Sequence, residues 1–410
     1  MTEAPAWTRQ DRCRLPREAA TFSGTGQHPN PMDLNTARLR TAGLTDVFEK
    51  LRADQRLDRK DGERLFACPD TTLIGALAHF IRTRRYGLKT TYVLNQQINY
   101  TNICQNRCLF CSYQRETGQS GAFQLELRDI LEKVQHSPAS ITEVHIVGGC
   151  HPELPLGFFE DMLAGIKSVR PRAILKCFTP VEIAHFARLE GLSVTTVLKR
   201  LHRAGLDMLP GGGAEIFAPR VRKRICPRKI SGAEWLDVCG QAHRLGLPTN
   251  CTMLFGHLEN EHDRLEHLDL LRRQQDETGG FLCFIPLPFL TANNRLSGVR
   301  GPSGLEELKT VAVSRLMLDN IPHIKSYWVM LGLMQAQAAL YFGADDLDGT
   351  VVEERIGHMA GADSPQILSR AELQEMIHGC GLVAVERDAR FEPIPPAAER
   401  LTGHDGAEPQ

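Results

Sequence analysis

Three features are missing from this sequence, and each absence disfavours a class of protein. The 48 lysines and arginines are balanced by 49 aspartates and glutamates, so the chain lacks the excess positive charge that neutralises nucleic-acid phosphates. The N-terminus carries no apolar stretch of the kind found in secretory signals. No G-x-G-x-x-G motif follows the first predicted strand, which disfavours a dinucleotide-binding sheet. We therefore expect no nucleic-acid partner and no nicotinamide-type cofactor.

Long apolar runs are also scarce. The longest uncharged run, residues 326–344, reaches the roughly 18 residues that can cross a bilayer. It contains Gln335 and Gln337, and a lone span with two glutamines would be a poor membrane anchor. The run therefore predicts a buried strand followed by a buried helix, with no membrane partner.

Cysteine, in contrast, is abundant. The 12 cysteines are spread along the chain without the spacing of a small disulfide framework, which predicts reduced thiols and a cytoplasmic protein. Cys104, Cys108 and Cys111 stand apart because they lie within eight residues. Three thiolates at this spacing can hold an iron–sulfur cluster by three of its irons, leaving the fourth open to a substrate or cofactor. Zinc and adventitious thiols are the alternatives, although structural zinc usually takes two close cysteine pairs and no second C-x2-C is present.

From Lys89 onward, short apolar strands alternate with amphipathic helical segments, a pattern typical of βα units. Seven or eight repeats over roughly 250 residues match a closed (β/α)8 barrel, so the sequence predicts an α/β fold of the TIM type; an open doubly wound sheet is the alternative. The predicted strands are residues 92–99, 143–149, 173–178, 207–210, 249–255, 281–286 and 324–329, with a weaker eighth at 341–347. The predicted helices include residues 127–136, 158–170, 181–189, 233–245, 263–277 and 305–319.

Composition shifts divide the chain into five segments. Residues 1–33 are rich in proline and lack apolar periodicity, so they are expected to be disordered, and Met32 is an alternative start to Met1. A helical preface is predicted for residues 34–88, the barrel for 89–360, a C-terminal helical extension for 361–395 with its helix starting at Ser369, and a disordered tail for 396–410.

Candidate ligand contacts lie where predicted strands end, since active sites of βα barrels are built on that face. Gly148 and Gly149 end the second strand and would let backbone approach a ligand. Residues 211–213 are three glycines that form either an anion-binding nest or an unliganded loop. Polar side chains in or near apolar segments complete the candidates: Thr179, Glu182, Asn250, Thr252, His257, Arg315, Lys325 and Tyr327. Each of these also fits a satisfied buried polar group, and His243, His262 and His267 are interpreted as surface residues.

The C-x3-C-x-aromatic-C pattern of Cys104, Cys108, Phe110 and Cys111 resembles the signature of the radical S-adenosylmethionine (SAM) superfamily. The resemblance implies a [4Fe-4S] cluster on the three cysteines, with the amino and carboxylate groups of SAM on the fourth iron. It also implies that Phe110 lies beside the adenine and that Gly148 and Gly149 contact the methionine amino group. Thr179 and Glu182 are weaker candidates for SAM contacts.

Longer stretches, over about residues 57–390, resemble the branch that contains the aminofutalosine synthase, dehypoxanthine futalosine cyclase and deazaflavin FO synthase families. The segments shared with the branch are residues 62–65, 99–102, 148–152, 210–215 and 278–281. Within the branch, residues 178–184, 314–320, 327–332 and 345–354 are most similar to the aminofutalosine synthase family. Residues 387–391, Arg-Asp-Ala-Arg-Phe, depart from the Arg-Asp-Thr-x-Tyr expected there.

This resemblance implies an enzyme that adds the 5′-deoxyadenosyl radical to the vinyl group of 3-[(1-carboxyvinyl)oxy]benzoate in menaquinone biosynthesis. SAM would be consumed as a co-substrate, and an electron donor such as flavodoxin or ferredoxin would be needed. Asn250, His257, Arg315 and Lys325 are the candidates for substrate contacts. The alternatives are a cyclase or FO-synthase-like enzyme of the same branch, or a non-catalytic iron–sulfur protein.

Overall fold

The computed structural model describes residue 34 and residues 36–395. The segments expected to be disordered, and the choice between Met1 and Met32 as the start, lie outside the described residues. No helix in the described part of the chain is long and apolar enough to cross a membrane.

Between residue 36 and the first described strand lie four helices: α1 (Thr36–Thr41), α2 (Thr45–Arg52), α3 (Arg59–Ala67) and α4 (Thr71–Tyr86). Asp58 caps α3 and exchanges hydrogen bonds with Asp61, while the Asp70 carboxylate accepts a bond from the Leu73 N–H at the start of α4. The apolar faces of these helices are buried and α4 packs along a later helix, α12 (Gly304–Met317). The preface is therefore attached to the main α/β unit by a shared core.

Nine strands follow in the residues up to 395, and the pairings between these strands are parallel. They are β1 (Lys89–Val93), β2 (Asn95–Ile98), β3 (Glu143–Ile146), β4 (Ile174–Cys177), β5 (Thr249–Phe255), β6 (Phe281–Pro288), β7 (His323–Ile324), β8 (Asp346–Gly349) and β9 (Val383–Arg387). The remaining helices are α5 (Leu127–His136), α6 (Leu156–Val169), α7 (Pro180–Glu190), α8 (Val194–Ala204), α9 (Pro219–Ile225), α10 (Gly232–Arg244), α11 (Glu261–Thr278), α13 (Trp328–Leu331), α14 (Leu333–Leu340), α15 (Ile356–Met359) and α16 (Arg370–Gly379).

The strands form three short parallel sheets, in the orders β8-β1-β9, β2-β3-β4 and β5-β6-β7. Isolated parallel bridges join residues at the sheet edges: Gln96 to Val352, Lys176 to Met208, Leu209 to Thr249, and Lys325 to Asp346. The prediction of an α/β fold is confirmed. The strands themselves are shorter and more interrupted than the predicted ones.

Two of the predicted strands differ from the observed ones. The predicted first strand is broken at Leu94 into β1 and β2, and β1 takes β9 as a neighbour where β2 takes β3. The predicted strand at 324–329 is wrong beyond Ile324, because the chain turns at Ser326 into the short helix α13. Trp328 fixes this turn, since its indole N–H donates to the Gly349 carbonyl at 2.9 Å. Residues 326–344 therefore contain two short helices, α13 and α14, where a strand followed by a helix was predicted.

Parallel strands bring their carboxyl ends to one edge of a sheet. The cysteine loop follows β2, Gly148 and Gly149 follow β3, Thr179 follows β4, and Gly256 follows β5. Strand β5 is buried at every residue, so the polar side chains that it carries face protein or an internal cavity. The fold therefore gathers the loops that carry most of the predicted site residues.

Candidate active site

A cavity of about 330 Å3 lies among these strand ends. Ten of the twelve residues that were assigned to the cluster, SAM or the substrate line it: Cys104, Cys108, Phe110, Cys111, Gly148, Gly149, Thr179, Glu182, Asn250 and Lys325. The cavity is within the size range of small-molecule sites. The structure thus brings the predicted cofactor residues and two of the predicted substrate residues to one enclosed space.

The loop that carries the cysteines is fixed by its backbone. The Cys104 N–H donates to the Arg115 carbonyl at 3.0 Å, and the Leu109 N–H donates to the Ile225 carbonyl at 2.8 Å. The Arg295 guanidinium donates to the Cys108 carbonyl at 3.1 Å. These bonds satisfy backbone groups of a segment without regular structure, so the loop geometry does not depend on the thiols.

The three thiols differ in their surroundings. A hydrogen bond with the Cys150 thiol lowers the pKa of Cys104 to about 6, whereas burial raises the pKa of Cys108 and of Cys111. Lys229 lies nearby, with its Nζ 2.6 Å from the Glu215 carboxylate. A buried cation at this position favours the thiolate form of Cys108, which is the form that binds iron.

The donor set fits a [4Fe-4S] cluster. Three thiols line one cavity, and the buried ammonium of Lys229 partly offsets the negative charge that thiolates and cluster would bring. Within the described residues, no three His, Cys, Asp or Glu side chains are placed to share a single metal ion. A single zinc would need such a set, whereas each thiolate of a cluster takes a different iron.

Gly148 and Gly149 occupy positions without room for a side chain. A Cβ on Gly149 would lie 2.2 Å from the Ile103 carbonyl oxygen, and one on Gly148 would lie 2.6 Å from the Tyr100 ring. The Gly149 N–H donates to the Thr101 carbonyl at 2.9 Å. The turn after β3 is therefore packed directly against the segment that leads into the cysteines.

Glu182 holds this turn from the other side. Its Oε1 accepts hydrogen bonds from the Gly148 N–H at 3.0 Å and the Tyr100 hydroxyl at 2.9 Å. Its Oε2 accepts from the Thr179 N–H at 2.8 Å and the Thr179 hydroxyl at 2.7 Å. Burial raises the pKa of Glu182 to about 7 against the opposing effect of these donors. Glu182 and Thr179, predicted as SAM contacts, thus bind each other and the Gly148 turn.

A group of buried ion pairs reaches the cavity through Lys325 and Asp348, which line it. Lys176 pairs with Glu143, and Lys325 pairs with Asp348 and lies 3.7 Å from Asp346. Arg387 of β9 pairs with the same Asp346 at 2.6 Å. We call these six residues the charged floor: Glu143, Lys176, Lys325, Asp346, Asp348 and Arg387. All six side chains are almost fully buried, and their three positive and three negative charges cancel.

Asn250 is uncharged, and its side-chain acceptor is free. The residue is 2% exposed and lines the cavity, and its Oδ1 has no hydrogen-bond partner. The Tyr113 hydroxyl and the Gln114 Oε1, just after the cysteines, are buried and unpartnered in the same cavity. Buried polar groups usually have partners, so at these three atoms a ligand can add hydrogen bonds without displacing protein contacts.

Two predicted substrate contacts are corrected by the structure. Arg315 lies in α12, fully buried away from the cavity lining, where it donates to the Gly343 and Pro322 carbonyls at 2.8 Å. His257 lies in the turn after β5, with its Nδ1 3.0 Å from Glu259. The ring nitrogens of His257 are engaged within this turn. Both side chains serve local structure.

Sequence reasoning also misplaced His267 and overlooked His145. His267 is fully buried rather than on the surface, because its ring stacks on Phe217 with centroids 3.9 Å apart and its Nε2 bonds the Thr252 carbonyl at 2.9 Å. His145 lines the cavity from β3, and burial lowers its pKa to about 3. A polar residue in an apolar strand was the signal that identified Asn250. The same signal was present in β3 for His145.

The chain matches two family descriptions in tandem. Residues 98–271 match the radical SAM superfamily, and residues 278–399 match the CofH/MqnC C-terminal region. The first match contains the cysteine loop and the Gly148 turn. The second contains most of the residues on the opposite side of the cavity, including Lys325 and Asp348.

Relatives cover most of the chain. It is 42% identical over 362 residues to the aminodeoxyfutalosine synthase of Thermus thermophilus, covering 87% of this chain and 97% of that protein. It is 41% identical to the aminodeoxyfutalosine synthase of Streptomyces coelicolor, covering 86% of this chain and 94% of that protein. The 5-amino-6-(D-ribitylamino)uracil–L-tyrosine 4-hydroxyphenyl transferase of Methanopyrus kandleri is 40% identical over 77% of this chain and 88% of its own length.

Solved structures share the fold at low identity. Methylornithine synthase superposes with a TM-score of 0.66 at 17% identity, covering 82% of this chain and 96% of that one. The hydrogenase maturase HydG of Carboxydothermus hydrogenoformans gives a TM-score of 0.65 at 18% identity, covering 87% and 84%. These structures show the fold alone, whereas the two family matches and the identity to full-length relatives show that the chain belongs to the radical SAM superfamily, in the branch that includes the aminodeoxyfutalosine synthases.

Proposed function

We propose that this chain is the radical SAM transferase that forms 6-amino-6-deoxyfutalosine for menaquinone biosynthesis. In the proposed reaction, the 5′-deoxyadenosyl group of SAM joins the vinyl carbon of 3-[(1-carboxyvinyl)oxy]benzoate, and the aryl group migrates. Loss of the carboxylate as CO2 or bicarbonate completes the product. The relatives named aminodeoxyfutalosine synthase, which the chain matches nearly end to end, support this choice.

We assign the cluster to Cys104, Cys108 and Cys111. When bound, a [4Fe-4S] cluster would supply the electron that cleaves SAM. Phe110 would flank the adenine, and its ring has the Lys229 Nζ 5.3 Å from its centroid on the protein side. Gly148 and Gly149 would contact the methionine part through their backbone.

One observation carries the proposal: a single cavity runs from the cysteines to the charged floor, with apolar side chains between. Leu254, Ile285, Leu287 and Phe289 provide much of this apolar wall. An apolar wall excludes water from a reactive nucleoside and holds an aromatic ring without competing for hydrogen bonds. SAM and the benzoate substrate could therefore bind next to each other in the cavity, beside the cysteines.

We further propose that the parallel segments close into one eight-stranded barrel around this cavity. The isolated bridges support closure because they link β4 to Met208, Leu209 to β5, and β7 to β8. The pairing of β8 with β1 then returns to the starting strand. We place the enzyme in the cytoplasm, where its thiols stay reduced, and expect flavodoxin or ferredoxin as its electron donor.

A second candidate is the transfer of the 4-hydroxyphenyl group of tyrosine, since relatives named for that reaction are 40% identical. An anaerobic assay with SAM and reductant separates the two. With the enolpyruvyl benzoate, the proposal predicts a mass that contains the adenosyl group and little free 5′-deoxyadenosine. Turnover with tyrosine and 5-amino-6-(D-ribitylamino)uracil, and none with the benzoate, would favour the second candidate.

A further inference from the structure

We propose that an exposed basic surface beside the cysteine loop docks a small acidic one-electron carrier protein. The surface, which we call the basic patch, consists of Lys223, Arg224, Arg228 and Arg295. The inference rests on the proposed function, because it presumes a redox cluster on the neighbouring cysteines. It adds the place and the chemistry by which the electron donor is recognised.

The basic patch begins in a segment with one sign of charge. No aspartate or glutamate occurs between Glu215 and Glu234, whereas six cations do: Arg220, Arg222, Lys223, Arg224, Arg228 and Lys229. The whole chain has a formal net charge of −1. The positive charge is therefore local, and it is concentrated around α9.

Three of these six cations form ion pairs or hydrogen bonds within the protein. Arg220 pairs with Asp263, Lys229 pairs with Glu215, and Arg222 is buried with its guanidinium on backbone carbonyls. Lys223, Arg224 and Arg228 are exposed, and no carboxylate within the described residues pairs with them. Such charges are free to attract an acidic surface.

The exposed cations border the cysteine loop directly. Ile225, next to Arg224, accepts the Leu109 N–H at 2.8 Å, and the Arg228 guanidinium lies 3.5 Å from the Gln105 carbonyl oxygen. Arg295 is exposed and donates to the Arg107 carbonyl at 3.0 Å. The patch thus reaches backbone of residues adjacent to Cys104 and Cys108.

An electron donor must bring its redox centre close to the cluster, because electron transfer through protein falls off steeply with distance. Arg228 and Arg295 of the patch contact the backbone of the loop, so a carrier seated there has a short route through the loop to the thiolates. Opposite charges would speed the encounter and orient the carrier. A nucleic acid could also meet four cations, but nothing in the patch supplies aromatic stacking for bases.

The test is reduction of the reconstituted holoenzyme by reduced flavodoxin, followed anaerobically through the cluster's visible absorbance at low salt. We expect Lys223→Glu/Arg224→Glu/Arg228→Glu to lower the second-order rate constant about ten-fold or more. The corresponding serine variant should show a smaller loss. Both losses should shrink at high salt because screening weakens charge attraction.

The matched control is Lys89→Glu/Arg172→Glu/Arg203→Glu. These three cations are exposed. Lys89 is the first residue of β1, and Arg172 and Arg203 precede β4 and Met208, so all three lie at the opposite ends of parallel segments from the cysteine loop. The control should keep the wild-type rate with flavodoxin. Dithionite, which needs no docking surface, should reduce all variants within about two-fold of the wild type, which shows that their clusters are intact.

The proposal would be overturned if the patch variant and the control variant had the same rate with flavodoxin, whether both kept the wild-type rate or both lost it to the same extent. Loss of DNA binding in the patch variant with an unchanged flavodoxin rate would assign the patch to nucleic acid and also overturn it. The readout is cluster reduction, so it does not require the proposed product. A protein that is reduced through the patch but forms no adenosylated product would contradict the proposed function alone.

Discussion

The cysteine side of the cavity and its charged floor are both polar, but they use their polar groups in opposite ways. At the cysteine side, backbone hydrogen bonds fix the loop while the thiols line the cavity. In the floor, charged side chains such as Lys176 and Glu143 bind each other. The difference indicates that the cysteine side is built for a ligand, whereas the floor is built to be stable without one.

The neutral floor also limits how a dicarboxylate substrate can be held. Lys325 was predicted to contact substrate, and it does line the cavity, but Asp348 already pairs with it. A substrate carboxylate that approached Lys325 would have to share it with that aspartate. The unpartnered Asn250 Oδ1 offers a contact to a donor group of the ligand instead.

Loss of a cysteine should have the largest effect. Cys108→Ala removes one of three ligands, so we expect loss of the cluster and of all SAM cleavage. Iron content, visible absorbance and 5′-deoxyadenosyl products measure this. Cys150→Ala is the control, because Cys150 lies beside Cys104 but is not assigned as a ligand. Retention of the cluster in Cys108→Ala and its loss in Cys150→Ala would refute the assignment.

Breaking an ion pair of the charged floor should lower the free energy of unfolding. Lys176→Met leaves Glu143 buried and unpaired, which typically costs about 3–5 kcal/mol. A lower urea midpoint of the apoprotein would record it. Arg244→Met removes only the exposed pair with Glu277 and should cost less than about 1 kcal/mol. If the two variants unfold at the same urea concentration, the buried pair contributes no more to stability than the exposed pair does.

Glu182 should give SAM binding at the cysteine side a dependence on pH. Its carboxylate accepts from Gly148, and below its pKa of about 7 the protonated group loses an acceptor position. The KM for SAM should therefore rise as the pH falls from 8 to 6. Glu182→Gln should raise this KM about ten-fold at pH 8, as expected for a buried donor left unpaired, and should flatten the pH profile.

Thr179→Ser keeps the hydroxyl that Glu182 binds and serves as the control. It should retain the wild-type pH profile. A Glu182→Gln variant with lower stability but an unchanged pH profile of KM would show that the carboxylate only caps α7.

The smallest effect is expected at Asn250. Asn250→Leu removes the free Oδ1 without unpairing a protein group, so folding should change little. The KM for SAM, whose hydroxyl and amino groups can donate to this oxygen, should rise about five-fold, within the range for one lost hydrogen bond. Asn250→Asp keeps an acceptor oxygen and should recover the KM for SAM in part. An unchanged KM for SAM in both variants would show that the Asn250 Oδ1 accepts no hydrogen bond from it.

The local parts of the site could be predicted from the sequence. Cys104, Cys108 and Cys111 are close along the chain, and Gly148 and Gly149 directly follow a strand, so spacing alone placed them at one face. The alternation of strands and helices likewise predicted the α/β class. Spacing and periodicity are both set by residues that are close together in the sequence, so the sequence shows them directly.

The predictions that failed concern contacts between residues that are far apart in the sequence. Arg315 lies in a helix whose sequence does not show that its guanidinium binds the Gly343 carbonyl. His267 sits in a charged segment and is buried by Phe217, which lies 50 residues earlier. Strand β9 is short, and its pairing with β1 joins residues nearly 300 positions apart. Periodicity within a short window does not contain such information.

The fate of the adenosyl carbons tests the central claim most directly. Holoenzyme is reduced anaerobically and given the enolpyruvyl benzoate and SAM that carries 13C in its adenosyl ribose. The account predicts that the label appears in the product, one adenosyl group per SAM consumed, with little labelled 5′-deoxyadenosine. Recovery of the label as free 5′-deoxyadenosine, with an unlabelled product, would contradict it.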